Sequence, residues 1–102
     1  VPNKSYRKGY TLELDIVHLW INKGYHAKRN WGSKPFDGII MGHGVNIWWE
    51  AKNWKHYPKT FEQNMRKQYS KWIKLATKRG CKFVVFYKDG RGMKAVKRID
   101  MN

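Results

Sequence analysis

Residues 81–87, CKFVVFY, form a run that is apolar on both faces of a strand. Side chains alternate along a strand, so Phe83 and Val85 need cover on one side and Val84 and Phe86 on the other. That need puts the run inside a sheet with layers packed against it. Two segments with helical apolar spacing are available to cover it: residues 10–23, ended by Gly24, and residues 60–79, stopped by Gly80. FDGIIM (36–41) and VNIWWEAK (45–52) read as strands joined across Gly42-His43-Gly44, a hairpin signal. YHAKR (25–29) is an earlier strand and MKAVKRI (93–99) a last one. NWGSKP (30–35) and NWKHYPK (53–59) read as loops, and KDGRG (88–92) as a turn. The predicted order is αβββαββ, an α/β fold around one mixed sheet flanked by helices. One domain spans residues 1–102, with residues 1–8 as a basic, weakly ordered arm.

Charge narrows the partner. The chain carries 22 Lys and Arg against 7 Asp and Glu, a net charge of +15. Self-repulsion on that scale costs stability and fits an anionic partner, with nucleic acid favoured because phosphates bind dense Lys and Arg. An anionic membrane fits less well, since the basic residues are spread along the chain rather than gathered beside one amphipathic segment. No apolar run approaches the roughly 20 residues of a membrane span, and no signal peptide opens the sequence. The single Cys81 forms no internal disulfide and builds no cysteine metal cage; it is expected to pack in a strand. His18, His26, His43 and His56 lack metal-ligand spacing and read as surface residues. An intracellular setting follows as the expectation.

The scarce carboxylates occupy unusual positions. On a helical wheel of about 100° per residue, the helix at 10–23 has a narrow polar wedge of Asp15, His18 and Asn22. Tyr10, Leu12, Leu14, Ile16, Val17, Leu19, Trp20 and Ile21 fill the remaining arc, and Glu13 falls inside it. An ionised carboxylate in a buried arc is costly unless something compensates it. Two readings stand for Glu13: a buried ion pair with Lys or Arg, or a cation or catalytic site at the inner edge of the helix. Along residues 45–52, Val45, Ile47, Trp49 and Ala51 share one face, while Trp48, Glu50 and Lys52 share the other. Asp37 lies on the paired hairpin strand. Two carboxylates on paired strands can converge on a hard divalent cation, with Lys52 orienting or deprotonating a water or neutralising charge on phosphate. The bland alternative is an ion pair on the sheet.

Asp37 followed by Glu50-Ala51-Lys52 matches the D…(D/E)xK pattern of the restriction-endonuclease-like metal nucleases. The first half also resembles the archaeal-type Holliday junction resolvases. YRKG (6–9) is similar to the start of their first helix, and Glu13 stands where they carry a helix-borne acidic residue. GYHAKRNWGSKPFDGII (24–40) is similar to their glycine–strand–Arg–Gly-Ser-Lys–Asp segment. The resemblance covers residues 6–52 in detail, and only the order helix, glycine, apolar strand beyond them. It implies a restriction-endonuclease-like fold and a nuclease that nicks two opposing strands of a four-way DNA junction as a homodimer. It implies Mg²⁺, with Mn²⁺ as a substitute and no small-molecule cofactor. Asp37 and Glu50 would bind the ion with the Ala51 carbonyl as a third ligand, and Glu13 would complete the acidic cluster. Lys52 would serve the attacking water, and Ser33 and Arg29 would contact phosphate or support catalysis. The cell would be archaeal, bacterial, or infected by a virus or phage. Two other readings are a nicking or restriction-type nuclease of the same superfamily, and a non-catalytic basic protein that binds nucleic acid.

Further DNA contacts are expected from Arg7 and Lys8 in the arm and from Lys34 and Lys55 in the loops. Lys67, Lys71, Lys74 and Lys78 form a stripe on the second helix without interleaved Glu, which favours phosphate contact over a merely solvated face. The buried arc of that helix is Phe61, Met65, Tyr69, Trp72, Ile73, Leu75 and Ala76. Gln68 lies at its edge, placed either to reach the site or to pack against backbone. Trp20, Trp49 and Trp72 read as core residues. Trp31 and Trp54, in loops beside the site, either stack on a base or cover the core.

Overall fold

The computed structural model describes residues 4–88 and 96–102, the side chains of residues 4–9 and of Ser33 excepted. In chain order the elements are α1 (Lys4–Asn22), β1 (His26–Arg29), a short 3-10 turn (Trp31–Ser33), β2 (Gly38–Gly42), β3 (Val45–Lys52), α2 (Phe61–Gln68), α3 (Ser70–Lys78), β4 (Lys82–Lys88) and β5 (Val96–Asp100). The five strands form one sheet in the order β1-β2-β3-β4-β5. Strands β3 and β4 run parallel and the other neighbours antiparallel. A parallel pair needs a crossover, and α2 and α3 supply it.

The doubly apolar run behaves as expected. Val84 and Phe86 enter a core with Leu12, Ile16 and Trp20 of α1 and with Ile40, Ile47 and Trp49 of the hairpin. Phe83 and Val85 enter the opposite core with Phe61 and Met65 of α2, Tyr69, and Ala76 of α3. Helices therefore cover both faces of the sheet. Leu12 and Ile16 are fully buried, and at roughly 1.5–3 kcal/mol for each such side chain they fasten α1 to the sheet. Gly38 lets the first three strands close: a Cβ there would overlap the Lys28 carbonyl and the Trp49 indole.

Four expectations change. The α1 helix begins at Lys4 rather than Tyr10, so residues 4–8, expected as part of an arm, are helical; residues 1–3 lie outside the description. KSYRKG contains no breaker stronger than Gly9, and one interior glycine costs only about 1 kcal/mol. The second helix is two helices, bent at Tyr69, whose backbone (φ −105°, ψ 17°) leaves the helical region. The apolar arc of α1 is only partly covered: Tyr10, Leu19 and Ile21 are exposed, because the sheet reaches only the sector from Leu12 to Trp20. The 30–35 loop holds a 3-10 turn. Residues 89–92 of the expected turn and 93–95 of the expected last strand fall outside the description.

Candidate active site

Asp37 immediately precedes β2, and the register that pairs Gly38 with Trp49 sets it opposite Glu50 of β3. Both carboxyls are buried, at 6% and 7% exposure. The Ala51 backbone N–H donates to Asp37 Oδ2 at 2.8 Å, so the strand that carries Glu50 also orients Asp37. The two carboxyl groups hydrogen-bond each other. Burial, then the charge of Asp37 and that hydrogen bond, push the Glu50 pKa from 4.5 up to about 9, against smaller opposing pulls from Lys52 and Tyr69. Without a cation, Glu50 therefore keeps its proton at neutral pH. Two carboxyls forced together away from water form a site whose second negative charge needs a partner.

Lys52 stands on the same face, its Nζ 3.8 Å from Glu50 Oε1. Two rings hold the ammonium, Tyr69 at 5.7 Å and Trp54 at 5.9 Å from their centroids. The Tyr57 hydroxyl donates to the Lys52 carbonyl at 2.9 Å and accepts from the Trp54 N–H at 3.1 Å. Tyr57 itself packs edge-on to Phe61 and Tyr87. The end of β3 is thus tied to the helical layer by aromatic contacts.

Apolar spacing alone makes Tyr69 a core residue and nothing more. It is buried, but its hydroxyl bonds Glu50, and burial with the nearby Glu50 and Asp37 charges raises its pKa above the usual phenol range. The exposed Gln68 sends its amide to the Tyr69 hydroxyl at 3.3 Å, so it reaches the site through that ring. A tyrosine in an apolar arc carries a hydroxyl that needs a partner, and that was the available signal.

The structure does not bring Glu13 to the other two carboxyls. Glu13 is buried and accepts from Arg29 Nε at 3.0 Å, while the Arg29 guanidinium lies 4.5 Å from the Tyr10 ring centroid. Among the described residues no three His, Cys, Asp or Glu side chains gather closely enough to hold a metal ion. The expected acidic cluster is a pair. Lys34, Lys55, Lys67, Lys71, Lys74 and Lys78 are exposed; the side chains of Arg7, Lys8 and Ser33 lie outside the description. All four histidines are exposed, and Cys81 is half-buried just before β4. Trp20 and Trp49 are core residues on the α1 face, and Trp72 packs half-buried against the core on the opposite face. Trp54 is partly covered by Tyr57 and Phe61, and Trp31 is exposed.

No family model and no curated protein matches the chain. Among solved structures it is similar to Hjc, a Holliday junction resolvase from the archaeal hyperthermophile Archaeoglobus fulgidus. The TM-score is 0.66 at 19% identity, over 92% of this chain and 73% of that one. The expected restriction-endonuclease-like fold is the one observed. None of the described helices is long and apolar enough to cross a membrane.

Proposed function

We propose that this chain is a divalent-metal-dependent endonuclease that hydrolyses phosphodiester bonds in four-way DNA junctions, acting inside the cell as a homodimer. The observation that carries the reading is the Asp37–Glu50 contact beside Lys52, on a fold shared with a resolvase. In a non-catalytic protein, buried carboxylates are expected to pair with cations, as Glu13 does with Arg29. Asp37 and Glu50 instead face each other, in a chain with ample Lys and Arg to separate them.

The donor set fits Mg²⁺ or Mn²⁺: two buried carboxyls offer hard oxygens, and the raised affinity of Glu50 for a proton marks a place where positive charge is favoured. Asp37 and Glu50 would hold the ion, with the Ala51 carbonyl as third donor; Glu13, paired with Arg29, stands outside that set. When bound, such an ion supplies a Lewis acid to the phosphoryl oxygens. The chain's own groups do the rest. The Ala51 N–H fixes the Asp37 carboxylate, and Tyr69, held by Gln68, fixes Glu50. Lys52 Nζ would present positive charge to the reacting phosphate and orient the attacking water. Arg29 and Ser33 would support phosphate binding, with Arg7, Lys8, Lys34 and Lys55 contacting the arms.

A homodimer is supported by an apolar stripe on α1 that the chain's own core covers only in part. Tyr10, Leu14, Val17 and Ile21 follow a four-three-four spacing; Tyr10 and Ile21 are 40% and 48% exposed, while Leu14 and Val17 are half-buried, Val17 against the core. A second copy would remove that stripe from water.

The test incubates the protein with four-way junction, linear duplex, splayed and single-stranded DNA, each with Mg²⁺ and with EDTA. Cleavage of the junction alone, only in Mg²⁺ and abolished by Asp37→Asn with binding kept, is the expected result. Equal cleavage of duplex moves the reading to a nicking or restriction-type nuclease. Binding with no cleavage under any condition refutes the enzyme.

A further inference from the structure

Trp31 is 97% exposed, while Trp20 and Trp49 are buried and Trp54 lies against two other rings. A single exposed apolar side chain is ordinary on a protein surface. What sets Trp31 apart is how it is held and where. The Asn30 N–H donates to the Asp37 carbonyl at 2.7 Å, and the Asn30 side-chain amide donates to the Phe36 carbonyl at 3.0 Å. Phe36 is in turn stacked on Trp48 and packed edge-on to Phe83. The two ends of the loop are therefore clamped together over the core. Between them Gly32 turns the chain at φ 66°, and a Cβ there would meet nothing within 4 Å, so the loop stands clear of the body. Trp31 makes no ring contact among the described residues, and its loop neighbour Lys34 is exposed.

The register gives the location. Arg29 pairs with Gly38 and Gly38 with Trp49, so this loop leaves the sheet at the end that carries Asp37, Glu50 and Lys52. An indole presented on a loop whose ends are clamped together, beside a site for phosphate, meets whatever base lies near the reacting strand. Bases inside a continuous duplex are stacked on both faces and offer it nothing. A base at a branch point, where one helical stack ends, has a free face.

We propose that Trp31 is a selectivity residue that stacks on base faces left open where DNA arms meet. The inference rests on the nuclease reading for where the DNA lies, and its test does not depend on cleavage. Equilibrium binding is measured in EDTA, with a four-way junction and a linear duplex of the same sequence. Wild type is compared with Trp31→Ala and Trp31→Phe, all three shown to share one thermal midpoint, as an exposed loop residue allows.

Trp31→Ala is expected to weaken junction binding by about 5- to 150-fold, the range for losing one base–aromatic stack, and to leave duplex binding within a factor of two. Trp31→Phe keeps most of the junction affinity, because a smaller ring still stacks. Equal loss on both DNAs makes Trp31 a general contact and overturns the proposal. So does an unchanged junction affinity, or a wild type that binds both DNAs equally. If wild type never cleaves in Mg²⁺ yet Trp31→Ala loses junction preference, the selectivity role stands and the nuclease fails. Junction cleavage with no effect of Trp31→Ala keeps the nuclease and overturns the selectivity role.

Discussion

Glu50 links the chemistry of the site to the stability of the fold. Its carboxyl titrates at 4.5 in the unfolded reference and at about 9 when folded. Between those values the folded chain holds a proton that the unfolded chain has released. The stability contributed is fully present below pH about 4.5 and is lost as pH rises through about 9, by at most ~1.4 kcal/mol per pH unit. In EDTA, the thermal midpoint of wild type is expected to fall more steeply over that window than that of Glu50→Gln, which has no such proton. Parallel profiles would show that burial and the neighbouring Asp37 do not raise the Glu50 pKa in the folded chain. Added Mg²⁺ should close the gap most at the alkaline end, where the proton no longer competes. Lys52 gives a second residue-scale prediction. Its contact with Glu50 is long at 3.8 Å, and Glu50 is mostly uncharged at neutral pH without a cation, so Lys52→Met removes little stability. Single-turnover junction cleavage should nevertheless fall roughly 10²–10³-fold, with junction affinity kept. A large drop in melting temperature with undiminished cleavage would make Lys52 a structural partner only. The suspicion attached to Glu13 was legible, because a carboxylate in an apolar arc is costly wherever it sits. Its partner was not, since Arg29 meets it only after β1 docks against α1. Tyr69 was missed because a ring in an apolar arc satisfies the core pattern while its hydroxyl leaves no periodic trace.

At the scale of elements, β3 was legible to the residue, Val45–Lys52, because the glycine-flanked turn at Gly42-His43-Gly44 opens it and the Asn53 loop closes it. The start of α1 was not legible in periodicity, since Lys4–Gly9 carries no apolar period to announce a helix; only the resemblance of YRKG (6–9) pointed to one there. The bend at Tyr69 was hidden for the opposite reason: the apolar period runs unbroken from Phe61 through Ala76. The hairpin supplies a test. Gly38→Ala forces a methyl against the Lys28 carbonyl and the Trp49 ring, so β1, β2 and β3 must spread. We expect a loss of at least 1–3 kcal/mol, the usual scale of overpacking, read by urea unfolding. Cleavage by the folded fraction should fall too, because the same spread separates Asp37 from Glu50. A variant as stable as wild type would show that the strands close less tightly. The outer face of α2 and α3 supplies the other. Lys67, Lys71 and Lys74 are exposed, and nothing in their positions alone separates phosphate contacts from a solvated face. Replacing all three by Gln should flatten the log–log dependence of junction affinity on salt by about 2.7, at ~0.9 for each phosphate no longer neutralised. An unchanged slope returns the face to solvent.

For the whole molecule, the net charge of +15 and the apolar stripe on α1 pull in opposite directions. Two copies repel each other at low salt unless apolar contact or shared DNA offsets the charge. The stripe was legible as apolar spacing, but the wheel assigned all of it to the chain's own core, which takes Val17 and leaves Tyr10 and Ile21 exposed. The sheet reaches only the sector from Leu12 to Trp20, and no property of α1 by itself reveals that limit. If the stripe joins two copies, each contributes one Asp37–Glu50 pair and each pair can cut one strand. A heterodimer then separates paired from independent nicking. Wild type and Asp37→Asn chains are co-expressed with different affinity tags, and the material passing both columns is assayed on a supercoiled plasmid bearing a cruciform. The doubly wild-type dimer should linearise the plasmid, because both opposing strands are cut before the complex dissociates. The mixed dimer holds the junction with two subunits but hydrolyses with one, so it should leave nicked circles and almost no linear product. Linear product from the mixed dimer at the wild-type rate would mean that one subunit cuts both strands. If nothing passes the second column, the chains do not pair stably, and the α1 stripe needs another partner.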